Sequence, residues 1–91
     1  MFYVYVIQSG SDLGLYIGMS GNLRRRLAEH QEGESNSTKG RGPWRLIYYE
    51  AYLEKEDAMG REVFLKSGSG RRFLDKQLRI HFSRHPRRFT R

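Results

Sequence analysis

The sequence predicts an α/β domain. Three short runs rich in β-branched and aromatic residues alternate with stretches of helical periodicity, and Gly- and Ser-rich turns separate them. The size agrees: 91 residues allow one domain, and 37% hydrophobic with 13% aromatic residues suffices for one small core.

Phe2 to Gln8 (FYVYVIQ) reads as the first strand. Ser9 to Gly14 holds two glycines, two serines and an aspartate and reads as a turn. Leu15 to Met19 (LYIGM) then returns as a second strand, making a β-hairpin. Ser20 and Asn22 are good helix caps, and Leu23, Leu27 and Ala28 follow at helical spacing, so a helix is expected over 22–32. Gly33 to Pro43 reads as a loop of about eleven residues, and loops of that length in small domains are more often functional than idle. Trp44 to Leu53 reads as a third strand, whose aromatics suit a core. Residues 54–66 read as a second helix, with acids in the first turn where its dipole favours them. Ser67 to Gly70 ends that helix and starts the next. A third helix is expected over 71–82, with Phe73, Leu74, Leu78 and Phe82 inward, and residues 83–91 as a basic tail after a domain of residues 1–82.

Composition excludes several classes. The run from Phe2 to Ile7 falls far short of the ~18 apolar residues of a membrane span, so no membrane partner is expected. Without cysteine there is no disulfide framework, thiol nucleophile or Cys-ligated metal, and a cytoplasmic setting is expected. The charge is uneven. Residues 1–70 carry nine basic and nine acidic side chains, whereas residues 71–91 carry Arg71, Arg72, Lys76, Arg79, Arg84, Arg87, Arg88 and Arg91 against Asp75 alone, which is the whole +7. Seven of those eight are arginine, whose fork pairs with phosphate, so this is a footprint for polyanions, with nucleic acid first. Lys39 and Arg41 in the long loop extend it.

Three features carry chemistry. With Ala58 set at 0° on a wheel of ~100° per residue, Leu65 falls at about −20°, Met59 at about 100° and Val63 at about 140°. Glu62, at about 40°, then lies within an apolar arc. A carboxylate there needs a partner: a metal, a base, or a hydrogen-bonded cluster, the purely structural case being a buried salt bridge, for instance with Arg26. Arg26 and His30, at i and i+4, share a helix face, a pairing that suits phosphate: one cation and one proton carrier. Tyr3 and Tyr5 share one strand face, and Tyr16 shares another with Gly18, a glycine that permits close approach.

The ordered set Tyr3-Val4-Tyr5, Tyr16-Ile17-Gly18, Asn22-Leu23 with Arg26 and His30, and Arg61-Glu62 with Leu65-Lys66 resembles the GIY-YIG nuclease superfamily over residues 2–82. It is most similar to short stand-alone bacterial members, which resemble the nuclease module of the bacterial excinuclease. The resemblance implies an α/β fold, a small three-stranded, mostly antiparallel sheet flanked by about three helices. It implies a metal-dependent endonuclease hydrolysing DNA phosphodiester bonds in a DNA-repair setting, with one divalent metal, Mg²⁺ or Mn²⁺, and no small-molecule cofactor. Carried over by position, the catalytic set is Tyr5, Tyr16, Arg26, His30 and Glu62, with Glu62 the metal ligand, Arg26 on the scissile phosphate and Gly18 beside the substrate. A monomer is expected. The chain departs from the family pattern in lacking the leading glycine of the first motif, in having Met19 where lysine is frequent, and in having no asparagine after Asn36. Those departures keep open an alternative, a catalytically weak or inactive nucleic-acid-binding module of the same fold.

Overall fold

The N-terminal strand is a continuous apolar and aromatic run, which suits burial on both faces, and the computed structural model, which describes residues 1–88, shows both covered. Arg91 of the expected tail lies outside the described residues. Strand β1 (Phe2–Ser9) is central, paired antiparallel with β2 (Leu15–Ser20) on one side and β3 (Trp44–Tyr52) on the other. A register shift opposite Val6 and Ile7 puts one extra residue into β3.

Val4 and Val6 point to one face and pack with Leu15, Ile17, Ala58, Leu65 and Leu74 beneath helices α2 (Lys55–Lys66) and α3 (Gly68–Gln77). Tyr5 and Ile7 point to the other, where Trp44, Tyr16, Leu23, Leu27 and Leu46 close a second cluster under helix α1 (Leu23–Gln31). The expected strands and the first two helices therefore appear within one or two residues of their predicted ends. Asn22 caps α1 by accepting from the Arg25 N–H at 3.1 Å.

The end of the chain differs from expectation. Instead of one helix over 71–82 there are two, α3 and a short α4 (Arg79–Arg84), with Leu78 out of helical conformation between them. The Ser67–Gly70 segment ends one helix and starts the next, as expected. Ser67 ends α2, and its hydroxyl accepts from the Gly70 N–H to start α3 at once. That tight corner requires glycine: a Cβ on Gly70 would lie 2.0 Å from the Phe64 carbonyl oxygen. The segment after α4 is fastened to the domain. Arg87 makes a two-pronged bond to Asp75 at 2.8 Å on each oxygen, and the Arg88 N–H donates to the Leu13 carbonyl. Among the described residues no helix is long and apolar enough to cross a membrane.

Candidate active site

Strand alternation sets the site. In the antiparallel register Tyr5 stands opposite Gly18 and Ile7 opposite Tyr16, so all four share the α1 face. Gly18 makes room for a ring: a Cβ there would sit 2.4 Å from the Tyr5 hydroxyl oxygen and 2.6 Å from its Cζ. The glycine thus seats the phenol of Tyr5, whatever it also allows a substrate to do.

Helix α1 brings His30, one turn after Arg26, over that phenol. The Tyr5 hydroxyl lies 2.7 Å from His30 Nε2, and both residues are 1% exposed. On the far side of the imidazole, Nδ1 lies 2.7 Å from the Thr38 Oγ1. Tyr16 is half-buried, its ring centroid 5.1 Å from that of His30 and 6.4 Å from that of Tyr5. Arg26 is held by Glu29 at 2.8 Å and reaches Ser35 Oγ at 3.4 Å.

The electrostatics follow from burial. Desolvation pushes the Tyr5 phenol up to about 12, with the Arg26 cation pulling it down and the Tyr16 and Glu62 charges pushing it further up. Desolvation, helped by the Arg26 charge and opposed by Glu29, pushes His30 down to about 4. At neutral pH the pair is therefore a neutral phenol facing a neutral imidazole.

Of the expected site residues, the structure gathers Tyr5, Tyr16, Arg26, His30 and Gly18 on one face, and Glu62 lies near enough for its charge to act on Tyr5. Glu62 itself departs from the expected setting. Met59 and Val63, 48% and 71% exposed, are not part of a buried arc. The buried residues of α2 are Ala58 and Leu65, and Arg61 makes a two-pronged ion pair with Glu50 of β3 at 2.9 and 3.0 Å. Glu62 stands at the rim, 24% exposed, and its partner is Lys66 at 3.0 Å and not Arg26.

A metal has one carboxylate here. Among the described residues no three His, Cys, Asp or Glu side chains converge on a metal position. A half-buried single carboxylate fits a hard cation that keeps most of its own water, such as Mg²⁺, and does not fit one that needs a closed protein cage.

The basic residues divide. Arg71, Arg72, Lys76, Arg79, Arg84, Arg88 and Lys39 are exposed. Arg41 is instead bound to Asp12 at 3.0 Å and lies over the Trp44 ring at 4.8 Å, and Arg87 is bound to Asp75. Sequence reasoning missed Thr38, Ser35 and Gln31. The Gln31 amide closes the long loop by bonding both the N–H and the carbonyl of Trp44. The only signal was indirect, a Ser/Asn/Thr stretch in a loop too long to be a mere connection.

The geometry defines a class, and comparison with known proteins identifies it: the model of the GIY-YIG catalytic domain matches residues 1–85, and the chain belongs to that family. Its relatives are UPF0213 proteins. One from Clostridium perfringens is 39% identical over 67 residues, covering 72% of this chain and 71% of the relative. One from Natronomonas pharaonis is 46% identical over 66 residues, covering 71% of this chain and 76% of the relative. The solution NMR structure of a UPF0213 protein from Bacillus halodurans is similar with a TM-score of 0.53, at 33% identity over 85% of each chain.

Proposed function

We propose that this chain is a metal-dependent endonuclease that hydrolyses DNA phosphodiester bonds. The observation carrying this reading is the buried Tyr5–His30 bond with Tyr16 and Arg26 at its open side. A neutral imidazole hydrogen-bonded to a phenol can take the phenol's proton as the phenol gains another, which is the relay this chemistry needs.

In this reading Arg26, already fixed by Glu29, stabilises charge that builds on the phosphate in the transition state. Tyr16, more accessible than Tyr5, orients the attacking water. Tyr5 accepts the water's proton as its own hydroxyl proton passes to His30 Nε2, so that the imidazole ends the step protonated. Glu62 would hold one Mg²⁺ or Mn²⁺ with Lys66 giving way, and the ion would supply charge neutralisation at the phosphate. The exposed cations Lys39, Arg71, Arg72, Lys76, Arg79, Arg84 and Arg88 would hold the DNA backbone without reading bases.

The Glu62–Lys66 ion pair favours a second reading, a nucleic-acid-binding module of the same fold with weak catalysis, because the ammonium competes with a metal for the carboxylate. One experiment separates the two. Nicked, branched, single-stranded and duplex DNA are incubated with the protein and Mg²⁺ or Mn²⁺, beside a Glu62→Gln control. The nuclease reading expects metal-stimulated cleavage that Glu62→Gln abolishes while the fold is kept. Binding without cleavage on every substrate establishes the second reading.

A further inference from the structure

We propose that Thr38, in the loop after α1, is a positioning residue that fixes the tautomer of His30 and so directs the Tyr5 hydroxyl proton onto Nε2. The inference rests on the nuclease reading for its consequence, and on geometry alone for the tautomer.

A neutral imidazole has one N–H and one bare nitrogen, and each nitrogen of His30 has a single oxygen partner at 2.7 Å: the Tyr5 hydroxyl on Nε2 and Thr38 Oγ1 on Nδ1. Either hydroxyl can donate or accept, so the surroundings decide the direction. Thr38 is 1% exposed, and the acceptors within reach of its hydroxyl hydrogen are Nδ1 and the Ser35 carbonyl, 3.5 Å away and one turn back in the same loop. In the proposed arrangement that hydrogen is turned to the carbonyl, Oγ1 offers a lone pair to the ring, and Nδ1 carries the proton. Nε2 is then bare and accepts from Tyr5.

The other end of the chain agrees. Arg26, whose charge pulls the Tyr5 phenol down, is a donor without acceptor capacity, so it offers no alternative to His30 for the phenol's hydrogen. The four groups therefore run in one direction: Tyr5 O–H to Nε2, Nδ1–H to Thr38, Thr38 O–H to the Ser35 carbonyl. A reversed chain would turn the Thr38 hydrogen to Nδ1 and leave the Ser35 carbonyl with the Thr38 N–H alone.

The loop is built to hold Thr38 in place. The Trp44 indole N–H donates to the Thr38 carbonyl at 3.1 Å, and the Thr38 N–H donates to the Ser35 carbonyl at 3.1 Å. Ser35 in turn meets Arg26, so a single turn of loop touches both the imidazole and the arginine. The long loop thereby backs the histidine, as a carboxylate or carbonyl does behind other catalytic histidines.

Long-range ¹H–¹⁵N correlation on the uniformly labelled protein at neutral pH reads the tautomer directly. The expected result is protonated Nδ1 and bare Nε2 for His30 in the wild type. A wild type with Nε2 protonated overturns the proposal without any variant. In Thr38→Val, which keeps shape and removes the acceptor, the ring is expected to shift toward the Nε2–H form and the cleavage rate to fall at least about tenfold at unchanged KM. Thr38→Ser is expected to restore both. A Thr38→Val protein that cuts at the wild-type rate with a changed tautomer overturns the positioning role. A wild type that does not cut DNA defeats the nuclease reading while the NMR result still decides the tautomer.

Discussion

Two clusters of the same residue types lie on opposite faces of one sheet. On the α1 face, Tyr5 and Tyr16 surround His30 with Arg26 beside them. On the α2 face, Tyr48 and Tyr52 surround Glu50 with Arg61 across from it. The second cluster is closed. Glu50 accepts from both tyrosine hydroxyls at 2.5 Å and from two nitrogens of Arg61, whose guanidinium also lies between the Phe64 and Phe73 rings at 4.8 and 4.5 Å. Burial works against its charge, yet these donors hold Glu50 below the usual carboxylate range. The first cluster is open: Tyr16 is half-exposed to solvent, and its buried pair is neutral on both sides. What distinguishes a site from a support here is charge: the support pairs a carboxylate with a guanidinium, whereas the buried pair of the site is neutral and backs a tyrosine that reaches solvent.

The closed cluster is expected to matter most for stability. Glu50→Gln leaves Arg61 half-buried without its counter-charge. The expected cost is about 2 kcal/mol, short of the ~3–5 kcal/mol for breaking a fully buried pair. For a domain of this size that lowers Tm by about 10 °C, read by thermal melting. DNA cleavage per folded molecule is expected to stay at the wild-type level.

The open cluster is expected to show in the pH dependence of stability. His30 is pushed from its ordinary 6.5 down to about 4 in the fold. Between those values the unfolded chain takes up a proton that the folded one refuses, so stability falls as pH falls through that window. Denaturant melts at several pH values are expected to show this fall in the wild type and a flatter line in His30→Gln. Burial, His85 and Arg45 also lower His81, and its share persists in the variant.

The smallest effect concerns the C-terminal arginines. Arg84 and Arg88 are exposed, whereas Arg87 is held by Asp75. Replacing Arg84 and Arg88 by glutamine is expected to flatten the slope of log K against log salt by about 2 on duplex DNA, at ~0.9 per phosphate contact. Arg87→Gln is expected to leave the slope nearly unchanged. Binding titrations at several salt concentrations measure both.

Much of this was legible in the sequence, for local reasons. Strand residues, the hairpin turn and the Asn22 cap are decided by neighbours along the chain, and Gly18 between Ile17 and Met19 marked a close approach. What was not legible depends on distant partners. A helical wheel for α2 places Met59 and Val63 inward because it cannot see Glu50 on β3 drawing Arg61 inward. Nothing local marks the break at Leu78, where His81 bonds Gln8 of β1 at 2.7 Å. Thr38 was hidden in the same way, since its role exists only where the loop folds back onto His30.

The most direct test of the contrast between the faces compares Tyr5→Phe with Tyr48→Phe. Single-turnover cleavage of the best DNA substrate is measured with Mg²⁺, at a temperature where melting shows both variants folded. Tyr5→Phe is expected to slow the chemical step by about 10²–10⁴-fold with DNA affinity little changed, and Tyr48→Phe to cut at the wild-type rate. Equal rates for Tyr5→Phe and wild type, or a comparable loss in both variants, would contradict the account.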